Sequence, residues 1–316
     1  MEIGAFTDST PEATCNAEGQ GAPFDIAQLS TAPDATFVAP VSGVITSWKT
    51  FAADGAGQTM NLKLAGLFES QYLIRRHDGP RALAPGQLNT FRTLLPVERG
   101  DMITLSPGAA PTACFLFSDR QADSVTFGGN VDTPDGQRWQ PARDIEGAVL
   151  NVAVTILPPP RITAISTTQG SVAGGTPVVV AGANFAEVRS VTFSGVPALS
   201  YSVASEGQLT AVAPPNTQLT SRTIEVTTVA GKDSAPQTFN YIGCAVPNLK
   251  KATLKEAKSE LASAGCALGK VKRLKKASLK KGKVTRQSPA PYSILPPGTK
   301  VSVSLKGGAK KHRKHR

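Results

Sequence analysis

Apolar and polar positions set three rhythms along the chain. Over the first half, short apolar or alternating runs at 36–38, 43–51, 61–68, 72–74, 94–97, 102–105, 114–117, 125–127 and 149–156 are separated by Gly, Pro, Asp and Asn. Runs of this length between regular turn signals predict strands of a sandwich or barrel. Their number, within about 150 residues, suits a jelly-roll-like sandwich. No stretch there predicts a helix longer than one or two turns. Three prolines, Pro158-Pro159-Pro160, then stop the last run and stiffen an extended connector.

From 160 to 242 the strands shorten, and each is followed by a Gly or Pro turn, as in a small immunoglobulin-like sandwich. Gly174-Gly175 supplies a turn with positive φ, and Gly182 is expected to let the chain bend before Asn184. After Gly243 the period changes to that of a helix. Thr253-Leu254-Lys255-Glu256 forms a capping box. Leu254, Ala257, Leu261 and Ala264 line one helical face, and Gly265 provides the stop. Alternating strands follow at 283–287 and 299–305. The expected fold class is mainly β. A jelly-roll-like β-sandwich spans 1–157, an immunoglobulin-like β-sandwich 160–242 and a small α+β module 244–306, and 307–316 is expected to be a disordered basic tail.

Three resemblances attach to these segments. Gly174-Gly175-Thr176, Val178, Val180, Gly182, Asn184 and Phe185 make residues 160–242 similar to the IPT/TIG domain, although Ser166-Thr167 stands where that family usually has proline. Val246-Pro247-Asn248-Leu249, Gly269-Lys270-Val271, Gln287-Ser288-Pro289, Pro291 and Pro297-Gly298-Thr299 make 244–306 resemble a PASTA domain, with Tyr292 at a position usually held by Gly. More weakly, Gly43-Val44-Ile45-Thr46-Ser47-Trp48, Asn89-Thr90-Phe91 and Pro96-Val97 resemble an N-terminal β-domain of exported actinobacterial proteins. The PASTA resemblance implies recognition of peptidoglycan fragments, and the IPT/TIG resemblance a spacer or interaction unit. The N-terminal resemblance implies no activity.

The formal charge of +11 is unevenly placed: 1–157 is acidic, 158–242 balanced, and 243–316 holds 20 Lys and Arg against Glu256 and Glu260. Any polyanion partner is therefore sought at the C-terminal end. The candidate contacts are Lys272, Arg273, Lys275, Lys276, Lys280, Lys281 and, in the tail, Lys310, Lys311, Arg313, Lys314 and Arg316. Nucleic acid is the alternative polyanion. The scarcity of stacking rings argues against it, because Tyr292 is the segment's single aromatic residue.

Four cysteines allow three pairings. Cys15 and Cys114 share the first segment, while Cys244 and Cys266 flank the helix of the third, so pairing within segments is expected over pairing between them. Four buried free thiols are the alternative. No two have the C-x-x-C spacing of a redox or zinc site.

Little else suggests chemistry. His77, the one histidine outside the tail, has no motif partner, and there is no G-x-S-x-G. Asp132-Thr133-Pro134-Asp135-Gly136 has two carboxylates where a calcium loop needs more, and reads as a turn. Trp48 alternates with Val44 and Thr46 and is assigned to the core. Trp139, in a polar stretch, either serves a binding surface or covers a sandwich edge. No catalytic residue, metal ligand or cofactor is expected. No run is long and apolar enough for a membrane helix, and the first residues lack the pattern of a signal peptide. An exported protein whose true start lies upstream, or was trimmed, is the favoured expectation. The reading is a non-enzymatic modular protein at the cell wall, extracellular, with peptidoglycan or anionic wall polymer as partner.

Overall fold

The structure is a computed structural model that describes residues 1–7, 11, 14–15, 24–30, 36–128, 132–274 and 277–307. It forms two compact units, one dominated by Met1–Pro159, the other by Pro160–Thr228 and the chain from Lys232.

The first unit is built of strands β1 (Glu2–Ala5), β2 (Asp25–Ser30), β3 (Gly43–Phe51), β4 (Thr59–Phe68), β5 (Gln71–Ala82), β6 (Leu88–Val97), β7 (Met102–Pro107), β8 (Phe115–Phe117), β9 (Ser124–Gly128), β10 (Arg138–Trp139), β11 (Pro141–Glu146), β12 (Ala148–Leu150) and β13 (Val152–Leu157). One sheet has the order β1-β13-β3-β6, the other β10-β5-β4-β7-β2-β9-β11, and β12 pairs with β8. With β8 to β12 set aside as an insertion, eight strands remain among the described residues. Numbered in chain order they lie as 1-8-3-6 and 5-4-7-2, which is the double Greek key of a jelly roll.

Residues alternating along these strands fill the space between the sheets, among them Ile45 and Trp48 of β3, Leu62 and Leu64 of β4, Leu105 of β7 and Val154 of β13. The Trp48 indole donates to Asp78 Oδ2 at 2.6 Å. Strand β5 runs on to Ala82, well past the apolar run 72–74 that marked it in the sequence. Its Gly79-Pro80 sits at an irregularity in the pairing with β4, where proline's missing N–H is tolerated.

The opposite face of the seven-stranded sheet carries a second apolar cluster, Ala27, Ala65, Tyr72, Ile74 and Trp139. Trp139 is 4% exposed and stacks on Tyr72 with ring centroids 4.3 Å apart. It belongs to strand β10 and covers the sheet, so it is not part of an open binding surface.

In the second unit, β14 (Arg161–Ile165), β15 (Gln169–Ser171), β16 (Pro177–Ala183), β17 (Val188–Phe193), β18 (Val196–Pro197), β19 (Ser200–Ser205), β20 (Gln208–Val212), β21 (Ser221–Thr228) and β22 (Gly231–Ile242) make two sheets, β14-β16-β20-β19 and β15-β22-β21-β17-β18. Val178, Val180, Phe193, Ile224, Val226 and Phe239 pack between them. Gly182 serves a close approach here: a Cβ would lie 2.0 Å from the Arg161 carbonyl oxygen and 2.5 Å from the Phe185 ring. The left-handed residue of this turn is Asn184 itself, φ 61°.

Next come β23 (Cys244–Ala245), α1 (Leu254–Ser263), β24 (Ala267–Arg273), β25 (Lys283–Ser288), β26 (Ile294–Leu295) and β27 (Lys300–Lys306). Helix α1 starts with the expected capping box: Thr253 N–H donates to Glu256 Oε2 at 2.7 Å, and Glu256 N–H donates to Thr253 Oγ1 at 3.3 Å. Its buried Ala257 and Leu261 join Val284, Val301, Val303 and Leu305 in one core. Thr253→Ala is expected to cost about 1 kcal/mol, as for other lost N-caps, read as a lower urea midpoint with unchanged slope. This module is closely joined to the sandwich before it. Ile294 packs against the sandwich core, and a Cβ on Gly243 would lie 2.6 Å from Leu295 O and 3.0 Å from the Val172 and Leu219 side chains.

Candidate anion-binding face

Strand β27 is central in the sheet β24-β27-β25. Val301, Val303 and Leu305 point to the helix, and Lys300, Ser302, Ser304 and Lys306 alternate with them on the other side. Residues in register share a face. Lys272, Ser304 and Arg286 therefore form one row across the three strands, and Ser302 and Ser288 form part of another. The outer face is a floor of serine hydroxyls edged by Lys272, Arg286, Lys300 and Lys306. Rows along a strand repeat at about 7 Å and strands lie about 4.8 Å apart, so neighbouring cations can contact successive charges of an extended polyanion.

The acidic residues of 243–316 belong to the helix and not to the sheet. Glu256 and Glu260 are both on α1. Glu256 accepts from Thr253, whose backbone N–H and hydroxyl hold its carboxyl below the ordinary value, and Lys283 adds to this. Lys283, in register with Lys306, is paired instead, its Nζ lying 3.6 Å from Glu256 Oε2. Among the described residues, Lys272, Arg286, Lys300 and Lys306 are in no ion pair.

The sequence candidates divide. Lys272 belongs to the face. Arg273 does not: it is in register with Leu305, and its Nε donates to Ala277 O at 2.7 Å, pinning the loop after β24. Lys280 and Lys281 are exposed on the turn before β25, where Lys281 N–H donates to Ser278 Oγ. Lys275, Lys276, Lys310, Lys311, Arg313, Lys314 and Arg316, with the tail expected to be disordered, lie outside the described residues. Arg286, Lys300 and Lys306 lie outside the contiguous Lys clusters of the sequence. The signal for the last two was the strict alternation Lys300-Val301-Ser302-Val303-Ser304-Leu305-Lys306.

Both cysteine pairs are disulfides within their own segments: Cys15–Cys114, with Cα atoms 5.8 Å apart, and Cys244–Cys266, with Cα atoms 4.6 Å apart. His77 has a partner that the sequence did not show, as its Nδ1 lies 2.8 Å from Asp135 Oδ1. Asp132 pairs with Lys63. Both carboxylates of the 132–136 turn thus face side chains of this unit.

Residues 160–241 match the IPT/TIG domain family and residues 245–307 match the PASTA domain family. No curated protein matches the chain. Among solved structures, the extracellular region of plexin A4 is similar at 13% identity and a TM-score of 0.25. The match covers 77% of this chain and 18% of that one, so the chain spans under a fifth of the plexin's length. A likeness of that quality carries no functional argument. This is a mainly β modular chain in which an IPT/TIG domain at 160–241 is followed directly by a PASTA domain at 245–307.

Proposed function

We propose that the protein is a non-enzymatic, exported binding protein of the cell wall, and that its PASTA domain contacts peptidoglycan or anionic wall polymer through the outer face of its sheet. The observation that carries this reading is the unpaired set Lys272, Arg286, Lys300 and Lys306 around a serine floor. Two disulfides support export, because such bonds persist in oxidising compartments. The IPT/TIG domain serves as a spacer to which the PASTA domain is fixed.

Electrostatic binding of this kind is screened over about 8 Å at physiological salt. Retention of the full chain on purified cell-wall sacculi is therefore expected to fall as salt rises. The double variant Lys272→Glu with Arg286→Glu should weaken low-salt retention by about tenfold, each exposed contact being worth up to about 1 kcal/mol. Equal retention of variant and parent across a salt series overturns the reading. Tighter binding to duplex DNA than to sacculi at physiological salt would favour nucleic acid as the polyanion.

A further inference from the structure

Tyr292 is the single aromatic residue of 243–316, and it is 78% exposed. Its backbone is left-handed, φ 67°. Bulky L-residues avoid this region because Cβ crowds the following carbonyl, and side chains held there concentrate at ligand-contacting positions. Glycine would adopt the same turn without that penalty. The ring itself packs into no core of the second unit, so core burial does not account for it.

The turn beneath the ring is firmly held. Tyr292 N–H donates to Val246 O at 2.7 Å, and Val246 N–H donates to Ser293 O at 2.9 Å. Ser293 Oγ donates to Ala290 O at 2.9 Å. Gln287, just before the turn, ties the same segments again: its Nε2 donates to Pro247 O at 2.9 Å, and its Oε1 accepts from Leu249 N–H at 2.8 Å. Pro289 and Pro291 stiffen the approach. Two residues on, Ile294 is anchored against the sandwich core. An exposed aromatic side chain on a rigid turn is preorganised for binding, since little motion is lost when a flat apolar partner meets it.

We propose that Tyr292 is a stacking platform for a pyranose ring of the wall glycan. This rests on the wall-binding reading and adds a contact of a different physical kind. The C–H face of a sugar ring is flat and apolar while its rim is polar. That matches an aromatic face with a hydroxyl at its edge. Stacking carries no net charge, so it persists at salt concentrations that screen the cationic face.

The probe is chitohexaose, a neutral hexamer of N-acetylglucosamine, titrated into the full chain by calorimetry at low and high salt. The intact protein is expected to bind it with an affinity insensitive to salt. Tyr292→Gly should bind about fivefold more weakly with a melting temperature no lower than the parent, and Tyr292→Phe should bind like the parent. Should the glycine variant misfold, Tyr292→Asn, whose side chain tolerates the left-handed region, replaces it. Absence of chitohexaose binding by the intact protein overturns the proposal, as does equal binding by the glycine or asparagine variant. The Lys272→Glu/Arg286→Glu protein separates the two readings. It should bind chitohexaose normally while losing low-salt retention on sacculi. Normal chitohexaose binding with charge-independent retention would sink the electrostatic reading and leave Tyr292 standing.

Discussion

Replacing Lys63 by methionine is expected to destabilise the jelly-roll unit by about 3–5 kcal/mol, the usual cost of removing one partner of a buried ion pair. Lys63 sits on β4 between Leu62 and Leu64 but faces away from their core, and it is 2% exposed. Its ammonium donates to Asp25 Oδ1 at 2.6 Å and to Thr133 O at 2.8 Å, and also pairs with Asp132. Asp25 is fully buried on β2, and its second oxygen accepts from Thr133 N–H at 3.1 Å. Methionine keeps the length of the side chain and leaves the Asp25 charge uncompensated.

The loss should depend on pH. Burial pushes the Asp25 carboxyl above its ordinary value even in the intact protein, against the opposing pull of Lys63 and Thr133. Without Lys63 it rises further. A carboxyl whose folded pKa exceeds its unfolded value takes up protons on folding. The variant's deficit is therefore smallest below the unfolded pKa and grows as pH rises through the folded one. Urea denaturation followed by tryptophan fluorescence reports this unit alone, because Trp48 and Trp139 are the chain's two tryptophans. The gap between variant and parent should narrow from neutral pH to about pH 4, near the ordinary Asp value, and Asp25→Asn added to Lys63→Met should recover part of it. A deficit under about 1 kcal/mol, the range of exposed pairs, or one independent of pH would show that Asp25 and Lys63 are solvated.

Removing the Cys244–Cys266 disulfide by paired serine substitutions is expected to cost the PASTA domain about 3 kcal/mol, because the bond closes a loop of 22 residues in the unfolded chain. A domain of this size buries too little surface to absorb such a loss easily. Both cysteines lie in its core, beside Val246 and Leu261. Cys244 also opens β23, which pairs with β26 and so holds Leu295 and Ile294 in place. The thermal midpoint should fall by on the order of 10 °C, given about 2–4 °C per kcal/mol for a cooperative unit of about 150 residues. Calorimetry of the full chain checks this through the transition of the second unit, leaving that of the first in place. A fall of only a few degrees would mean that packing, and not the cross-link, supports this domain.

The elements legible in the sequence are those with apolar side chains at alternating or helical spacing, even where, as on β7, the other face is buried too. The runs at 43–51 and 102–105 became β3 and β7, and the helix began at Thr253 with its box intact. Strand β2 is not legible in the sequence because buried polar residues, Asp25 and Gln28, flank its buried Ile26 and Ala27 and break the apolar pattern. Asp25 is neutralised by Lys63, and Gln28 donates through Nε2 to Ser124 O and Ala148 O while its Oε1 accepts from Leu150 N–H. Strand β19 went unread for the opposite reason. Its residues are exposed on both faces, which leaves no alternation to detect. The single apolar run at 149–156 became two strands, β12 and β13, which pair with β8 in one case and with β1 and β3 in the other.

By itself the sequence determined the mainly β class, the IPT/TIG and PASTA assignments, the helix with its cap and the concentration of positive charge at the C-terminal end. The two domain assignments rest on resemblance to known families, and the others on local spacing and composition, which a linear chain displays in full. Only the tertiary structure decided the jelly-roll strand order, the burial of Trp139 over Tyr72, the pairing of Lys63 with Asp25 and the row of Lys272, Ser304 and Arg286. Each joins residues far apart in the chain. Period-2 alternation says that two strands have two faces, but not which strands become neighbours or in what register. Pairing and register follow from how the apolar faces cover one another, and so the cationic face exists only once the sheet has closed over its helix.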